Sequence, residues 1–385
     1  MLVLDILFYT FVLIVLIQLI YYGGLFSKFT SKKTVKPRKK NIPVSVLVCA
    51  KNEAENLKKF VPLILDQDHR DFELILINDG SNDDTLAVMK SFQSKNDKVK
   101  IVNVKPIETF WGSKKYALTL GIKAASHNFL LFTDADCYPI SNQWIKRMSS
   151  HFDKQKTIVI GYGSYKKTKG ILNKLIRYET LLTAIQYFSY AMLGMPYMAV
   201  GRNLAYRKEE FFNARGFMDH MDVKSGDDDL FINQIATKKN TTVCYLEDSF
   251  TVSLPETSLS SWFNQKRRHV STSSRYKPSH KLVLGLFYLS QLFFWVLGIV
   301  LLIFLFQWKI VVSLLLIRFI VQYISVIGGA KKLNEQDLLP FLPILEVFLI
   351  VVQPEKRFIN DIFPKIRFFH NFGVFGDRFC HFGPF

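Results

Sequence analysis

An apolar run, Phe129–Thr133, ends in two carboxylates one residue apart, Asp134 and Asp136. In an extended segment residues i and i+2 point to the same side. Both carboxylates therefore converge just past the end of a strand. Like charges held that close repel unless a cation lies between them. An all-oxygen ligand set suits Mg2+ or Mn2+, and Mg2+ commonly binds through one or two carboxylates plus substrate phosphates. In isolation the same residues describe a polar turn, closed by Pro139. Their company decides between the two readings.

Asn52-Glu53 and Asn78-Asp79-Gly80 each follow an apolar run, and Asp227-Asp228-Asp229 form an acidic cluster. Glu53 and Asp79 are suited to accept hydrogen bonds from base and ribose. In an acidic cluster mutual repulsion raises one carboxyl pKa, and a carboxylate so tuned beside a hydroxyl is a general base. Gln265, Arg267 and Arg268 supply donors that match the oxyanions of a departing pyrophosphate. A cation on Asp136, with Asp134 alongside, would neutralise that leaving group. The chemistry these types share is transfer of a group from a nucleoside diphosphate to a hydroxyl.

Stepwise apolar and amphipathic runs place these residues. Strands are predicted over Pro43–Ala50, Phe72–Ile77, Val99–Val104 and Phe129–Thr133, with helices over Ala54–Leu65, Asp84–Phe92 and Lys114–Ala125. Such alternation implies a parallel sheet with crossover helices, and ligands bind such sheets beyond the carboxyl ends of the strands. Asn52, Glu53, Asp79, Asp134 and Asp136 all fall there. Residues 157–163 and Thr241–Leu246 read as further strands. Residues 171–198 read as a helix lying along the sheet or at a bilayer surface.

The 385 residues are 49% hydrophobic yet carry a net charge of +18, which fits a membrane protein with a soluble portion. The basic residues cluster beside apolar spans, so nucleic acid is not an expected partner. Residues 2–22 are long and apolar enough to cross a bilayer, and they lack the basic start and small-residue cleavage site of a signal peptide. Seven basic residues without an acid follow over 27–40, which places that side in the cytoplasm and against anionic headgroups. Leu282–Trp308 and Ile310–Ile327 are two further spans, and Lys331-Lys332 after them agrees with a return to the cytoplasm. Leu338–Val352, with Pro340 and Pro343, is either a third C-terminal span or a re-entrant or interfacial segment, and the basic residues of the tail after it favour the interfacial reading. The four cysteines show no metal or disulfide spacing. The resulting map is an anchor at 1–23, a basic linker at 24–41, a catalytic domain at 42–280, membrane or interfacial helices at 281–353, and a tail at 354–385.

In its motifs the chain resembles the membrane-bound family 2 glycosyltransferases. Ala50-Lys51-Asn52-Glu53 resembles the family's A-x-N-E element, and Asn78–Asp83 its D-D-G-S-x-D, with Asn78 in place of the first Asp. Gly112–Leu118 resembles G-K-x-x-A-L, with Lys114 best aligned, and Asp134–Asp136 is the D-x-D. Gly201–Arg207 resembles G-x-N-x-A-(Y/F)-R, which brings in Asn203 on the acceptor and pyrophosphate side together with Gln265, Arg267 and Arg268. Gly226–Leu230 stands where the family has E-D-x-x-L; that spacing selects Asp227 as base, with Asp228 as runner-up. Gln265–His269 resembles Q-x-x-R-W, aligning Gln265 and Arg268. Gly226 and His269 depart from the usual Glu and Trp, and the His weakens a polymer-extending role.

The resemblance implies an α/β GT-A fold and inverting transfer of a sugar from a nucleotide sugar, most commonly a UDP-sugar. Donor contacts would come from Ala50, Asn52, Glu53, Asp79, Lys114 and Asp134, and metal binding from Asp136 and Asp134. The expected acceptor is a lipid, lipid-linked molecule or glycan met at the cytoplasmic face, with subunits of a glycan assembly system as possible partners. Rival readings are a processive polysaccharide synthase and a non-catalytic nucleotide-sugar-binding subunit.

Overall fold

The computed structural model describes residues 2–33, 40–105, 114–223 and 225–352. The tail at 354–385, residues 34–39 of the basic linker and Gly112-Ser113 lie outside the described residues.

Among the described residues ten strands build two sheets: β1 (Val44–Ala50), β2 (Phe72–Asp79), β3 (Val99–Val104), β4 (Phe129–Asp134), β5 (Cys137–Pro139), β6 (Ile158–Ile160), β7 (Gly163–Tyr165), β8 (Leu204–Arg207), β9 (Thr241–Val243) and β10 (Thr251–Ser253). The large sheet has the order β3-β2-β1-β4-β8-β6-β9, and β5-β10-β7 form the small one. The first four strands are parallel, as the strand–helix alternation predicts. β8 runs antiparallel to both β4 and β6, so the whole sheet is mixed.

Side-chain alternation splits the core into two layers. Val46, Val48, Leu74, Leu76 and Leu131 pack beneath α3 (Ala54–Leu65), α4 (Thr85–Gln93) and α6 (Trp144–Ser149). Leu47, Ile75, Ile77, Leu130 and Phe132 face the other way, toward α5 (Lys114–Ala124) and α7 (Ile171–Met192). Short helices α8 (Lys208–Asn213) and α9 (Asp229–Ile235) follow, then α10 (Leu259–Ser273).

Among the described residues, three helices are long and apolar enough to cross a membrane, over Leu2–Thr30, Pro278–Ile303 and Trp308–Leu333. The first comprises α1 (Leu2–Leu19), a π-helical stretch at Ile20–Leu25 and α2 (Ser27–Thr30). The second and third are α11 and α12. They turn Ile6, Leu13, Phe293, Val296, Leu316 and Ile320 outward, as lipid contact requires.

The helix replaces the start of the expected linker, since 24–30 are helical. Phe26 and Phe29, three apart, share one face of that turn and are fully buried. Phe29 meets Phe188 of α7 with ring centroids 5.0 Å apart, and Ser189 Oγ donates to Phe26 O. α7 therefore lies between sheet and membrane helices, buried on most of its circumference.

Arg318, inside the predicted span Ile310–Ile327, is fully buried and bidentate on Glu346 of α13 (Leu342–Val352). Gln18 and Gln322 accept its remaining donors, and Gln291 donates to Glu346. Four helices are tied by this network. As described, α13 has 11 residues, about half the rise a bilayer crossing needs.

Candidate active site

The carboxyl ends of β1, β2 and β4 meet on one edge. The β1 and β2 loops brace each other: Asn52 N donates to Ser81 Oγ at 3.0 Å, Asn82 N donates to Asn52 Oδ1 at 2.9 Å, and Glu53 N donates to Thr85 Oγ1 at 2.8 Å. Asn78 donates from its amide to Asn103 and accepts from Ser81 N. A carboxylate lacks that donor, which gives the departure from the family's Asp a structural use. Ala50 is buried, so its side chain belongs to the core. Burial, with Asp136 and Asp134 nearby, pushes the Glu53 carboxyl up.

Asp134 and Asp136 converge as the period-two argument requires. One ligand atom from each, with Cys137 Sγ, lies within 4.8 Å of the others. Burial and the charge of Asp134 push the Asp136 carboxyl up. Like charges held this close oppose each other's ionisation, and an oxygen pair of this kind fits a hard divalent ion. Cys137 does not join such a set. Burial drives its thiol well above the usual range, it lies 3.2 Å from Asp136 Oδ1, and Ser253 Oγ is 2.9 Å away.

Lys114 bridges two motifs. Its Nζ is 2.8 Å from Asp134 Oδ1 and 3.1 Å from Asp227 Oδ2. Burial opposes its charge, but Asp134 and Asp227 hold its pKa well above the usual range. Lys115 points the other way and donates to the carbonyls of His220 and Val223, fixing the approach to the acidic loop.

In that loop Gly226 has φ +98°, and a Cβ there would lie 2.6 Å from Leu230 Cδ1. The family's Glu does not fit this path. Asp228 accepts from Gly201 N and from Asp229 N, both at 2.7 Å. Burial first, then the charges of Asp227 and Asp229, push its carboxyl up to about 8. Asp229 turns inward, accepting from Tyr276 Oη at 2.7 Å and from Thr272 Oγ1.

A cavity of about 360 Å³ connects these groups. Asp134, Asp136, Arg202 and Asp228 line it, together with Gln265 and Leu284 of α11. Gln265 Oε1 is buried without a hydrogen-bond partner among the described residues. Asn203 does not join them. It is fully buried, accepting from Trp144 Nε1 at 3.0 Å and donating to the carbonyls of Tyr162 and Ser249. It pins the β8 entry rather than facing an acceptor, which corrects the expectation from its motif. The side chains of Arg267 and Arg268 lie outside the described residues; their backbone is in α10.

Residues 45–211 match the family model for glycosyl transferase family 2. Residues 130–327, half of the chain, match glycosyl transferase family group 2. The chain is a family 2 glycosyltransferase. Poly-beta-1,6-N-acetyl-D-glucosamine synthase of Staphylococcus epidermidis is 30% identical to it over 173 residues, 43% of this chain and 40% of that protein. The dolichyl N-acetyl-alpha-D-glucosaminyl phosphate 3-beta-D-2,3-diacetamido-2,3-dideoxy-beta-D-glucuronosyltransferase of Methanococcus voltae is 25% identical over 177 residues, 44% of this chain and 50% of that one. The matched stretch spans half or less of these curated relatives. Mannosyltransferase PcManGT from Pyrobaculum calidifontis, solved with GDP-Man and Mn2+, superposes with a TM-score of 0.57 at 18% identity, over 91% of this chain and 100% of that one. The glycosyltransferase thus has the GT-A fold.

Sequence reasoning passed over Arg202, Glu179 and Lys266, which also line the glycosyltransferase's cavity. Arg202 occupies a variable position of its motif, so only its charge amid apolar neighbours signals it. Arg318 had a plain signal, a lone cation at the middle of an apolar span.

Proposed function

We propose that this glycosyltransferase is membrane-anchored and moves a sugar, with inversion, from a nucleotide sugar to a hydroxyl of a lipid-linked acceptor at the cytoplasmic face. The observation that carries this reading is the cavity running from Asp136 and Asp228 to Leu284 on a membrane-spanning helix. A lipid-tethered acceptor reaches the carboxylates along that line without leaving the bilayer. The name of the Methanococcus voltae relative, a transferase acting on a dolichyl-phosphate-linked sugar, points the same way.

Asn52, Glu53 and Asp79 would hold the nucleoside, UDP being the reading the family favours. Mg2+ or Mn2+ on Asp134 and Asp136 would supply positive charge to the diphosphate. Lys114, beside Asp134, adds a second cation on that side. Asp228 takes the proton of the acceptor hydroxyl. The acceptor oxygen then bonds to the anomeric carbon as the bond to the diphosphate oxygen breaks, and the leaving group keeps the electron pair. Family spacing favours Asp227, but Lys114 engages Asp227, whereas Asp228 lines the cavity and is held by two backbone donors. The test is a screen of nucleotide sugars for hydrolysis by the full chain in nanodiscs, with and without Mn2+ or Mg2+. One donor should turn over only with metal, and adding polyprenyl-linked acceptors should convert hydrolysis to transfer. Turnover of no donor, or turnover indifferent to chelator, would sink the reading.

A further inference from the structure

Among the described residues, two deeply placed arginines are matched with carboxylates and a third is not. Arg177 is bidentate on Glu335 and also pairs with Asp337. Arg318 is bidentate on Glu346. Arg202, in the catalytic cavity, has no such partner. Among the described residues it donates to Ser253 Oγ at 3.2 Å and to no carboxylate, its guanidinium lies 4.2 Å from the centre of the Tyr165 ring, and its Nε is buried without an acceptor. The charge of Asp136 reaches it only through space, and a desolvated cation without a directly bonded counter-ion is costly, so an arginine kept this way suits an anion that arrives.

The place for the side chain is built. A Cβ on Gly163 would lie 2.4 Å from Arg202 Nε, so β7 opens for the arginine by having no side chain there. The ring of Tyr165 supports the guanidinium plane, which suits a planar cation presenting its edge to an oxyanion.

The lining bears on the ligand's source. Lys114 lies in the recess beneath β1 with Cys49, Asp134 and Asp227, where the donor edge is. Arg202 lines the larger cavity, which reaches both Asp136 and Leu284 of α11. Among the described side chains lining it, the cation Lys266 is already paired with Glu179.

We propose that Arg202 binds a phosphate carried by the lipid-linked acceptor. The proposal rests on reading this cavity as the acceptor's, and it makes acceptor charge a specificity determinant. The fork of Arg202 would take two phosphate oxygens and fix how far the tether enters, leaving the reacting hydroxyl beside Asp228.

The test uses the full chain in detergent and decyl phosphate as probe, with decanol as its uncharged counterpart, read by titration calorimetry under chelator. Decyl phosphate should bind saturably and about tenfold or more tightly than decanol, as expected for a charge-assisted contact. Arg202→Gln should erase that preference and Arg202→Lys should restore part of it. A Gln variant that binds decyl phosphate as the wild type does would overturn the proposal. Repeating the titration with UDP and Mn2+ present separates the two phosphate sources. Continued binding supports the acceptor, whereas displacement assigns Arg202 to the donor diphosphate and overturns the proposal. Binding is read without turnover, so wild-type binding without any donor hydrolysis would remove the transferase reading and leave the anion site standing.

Discussion

The pH dependence of transfer follows from how Asp228 is held. Its carboxyl is pushed up to about 8 by burial and by the charges of Asp227 and Asp229. A base works only when deprotonated, so the rate should rise with pH. At pH 6 about one carboxyl in a hundred is ionised, at pH 7 about one in ten, and at pH 9 about nine in ten. The acceptor kcat/KM should therefore climb about tenfold per pH unit between 6 and 7 and level off near 9. The assay is initial rates in a constant-ionic-strength buffer series, with Mg2+ rather than Mn2+ to avoid metal hydroxide at the alkaline end. Asp229→Asn keeps an acceptor for Tyr276 but removes a neighbouring charge, so the limb should move to lower pH. A profile flat from pH 6 to 9, or Asp228→Asn turning over as the wild type does while Asp227→Asn does not, would refute the assignment of Asp228.

The same residue trades stability for activity. Its folded pKa is raised above the ordinary 3.8, so wild-type stability falls as pH rises from about 4 and levels above about 8. Asp228→Asn removes that titration but leaves one of the two backbone donors unmatched, so its melting temperature relative to wild type should start lower and rise between pH 4 and 8, by differential scanning fluorimetry, while transfer is lost. Asp136→Ala should lower metal-dependent hydrolysis at least about a hundredfold, checked against Mn2+ titration of donor binding. Arg318→Met leaves Glu346 buried without its cation and should cost about 3–5 kcal/mol, whereas Arg318→Met with Glu346→Leu should recover most of it in thermal melts. Gly226→Ala forces a side chain at φ +98° against Leu230 and should cost about 1–3 kcal/mol, with a matching fall in melting temperature.

The parallel half of the sheet was legible because each strand is an apolar run bounded by polar residues, and period-two geometry alone brings Asp134 and Asp136 together. The antiparallel β8 was not, since four residues carry no signal of direction. Lys114 was found by its motif, yet its bridge between Asp134 and Asp227 joins residues far apart in the chain, which only the fold reveals. Asn203 shows the opposite failure. A polar residue in a motif suggests a ligand, but three buried partners consume its hydrogen-bonding capacity. Gly226 was noted as a missing glutamate, and the left-handed backbone there explains the substitution. The linker was misjudged because composition hides Phe26 and Phe29 among basic residues.

That aromatic joint has a mechanical consequence. Phe26 and Phe29 are fully buried against α7 and its neighbours, and Lys332 donates to the carbonyls of Phe29 and Lys32. The catalytic domain is thereby riveted to its anchor instead of hanging from a tether. The height of Asp228 above the bilayer becomes a constant of the molecule. Under the proposed function, such an enzyme would measure its acceptor as a ruler does: a hydroxyl carried too near the membrane or too far from it would not meet the base, whatever its chemistry.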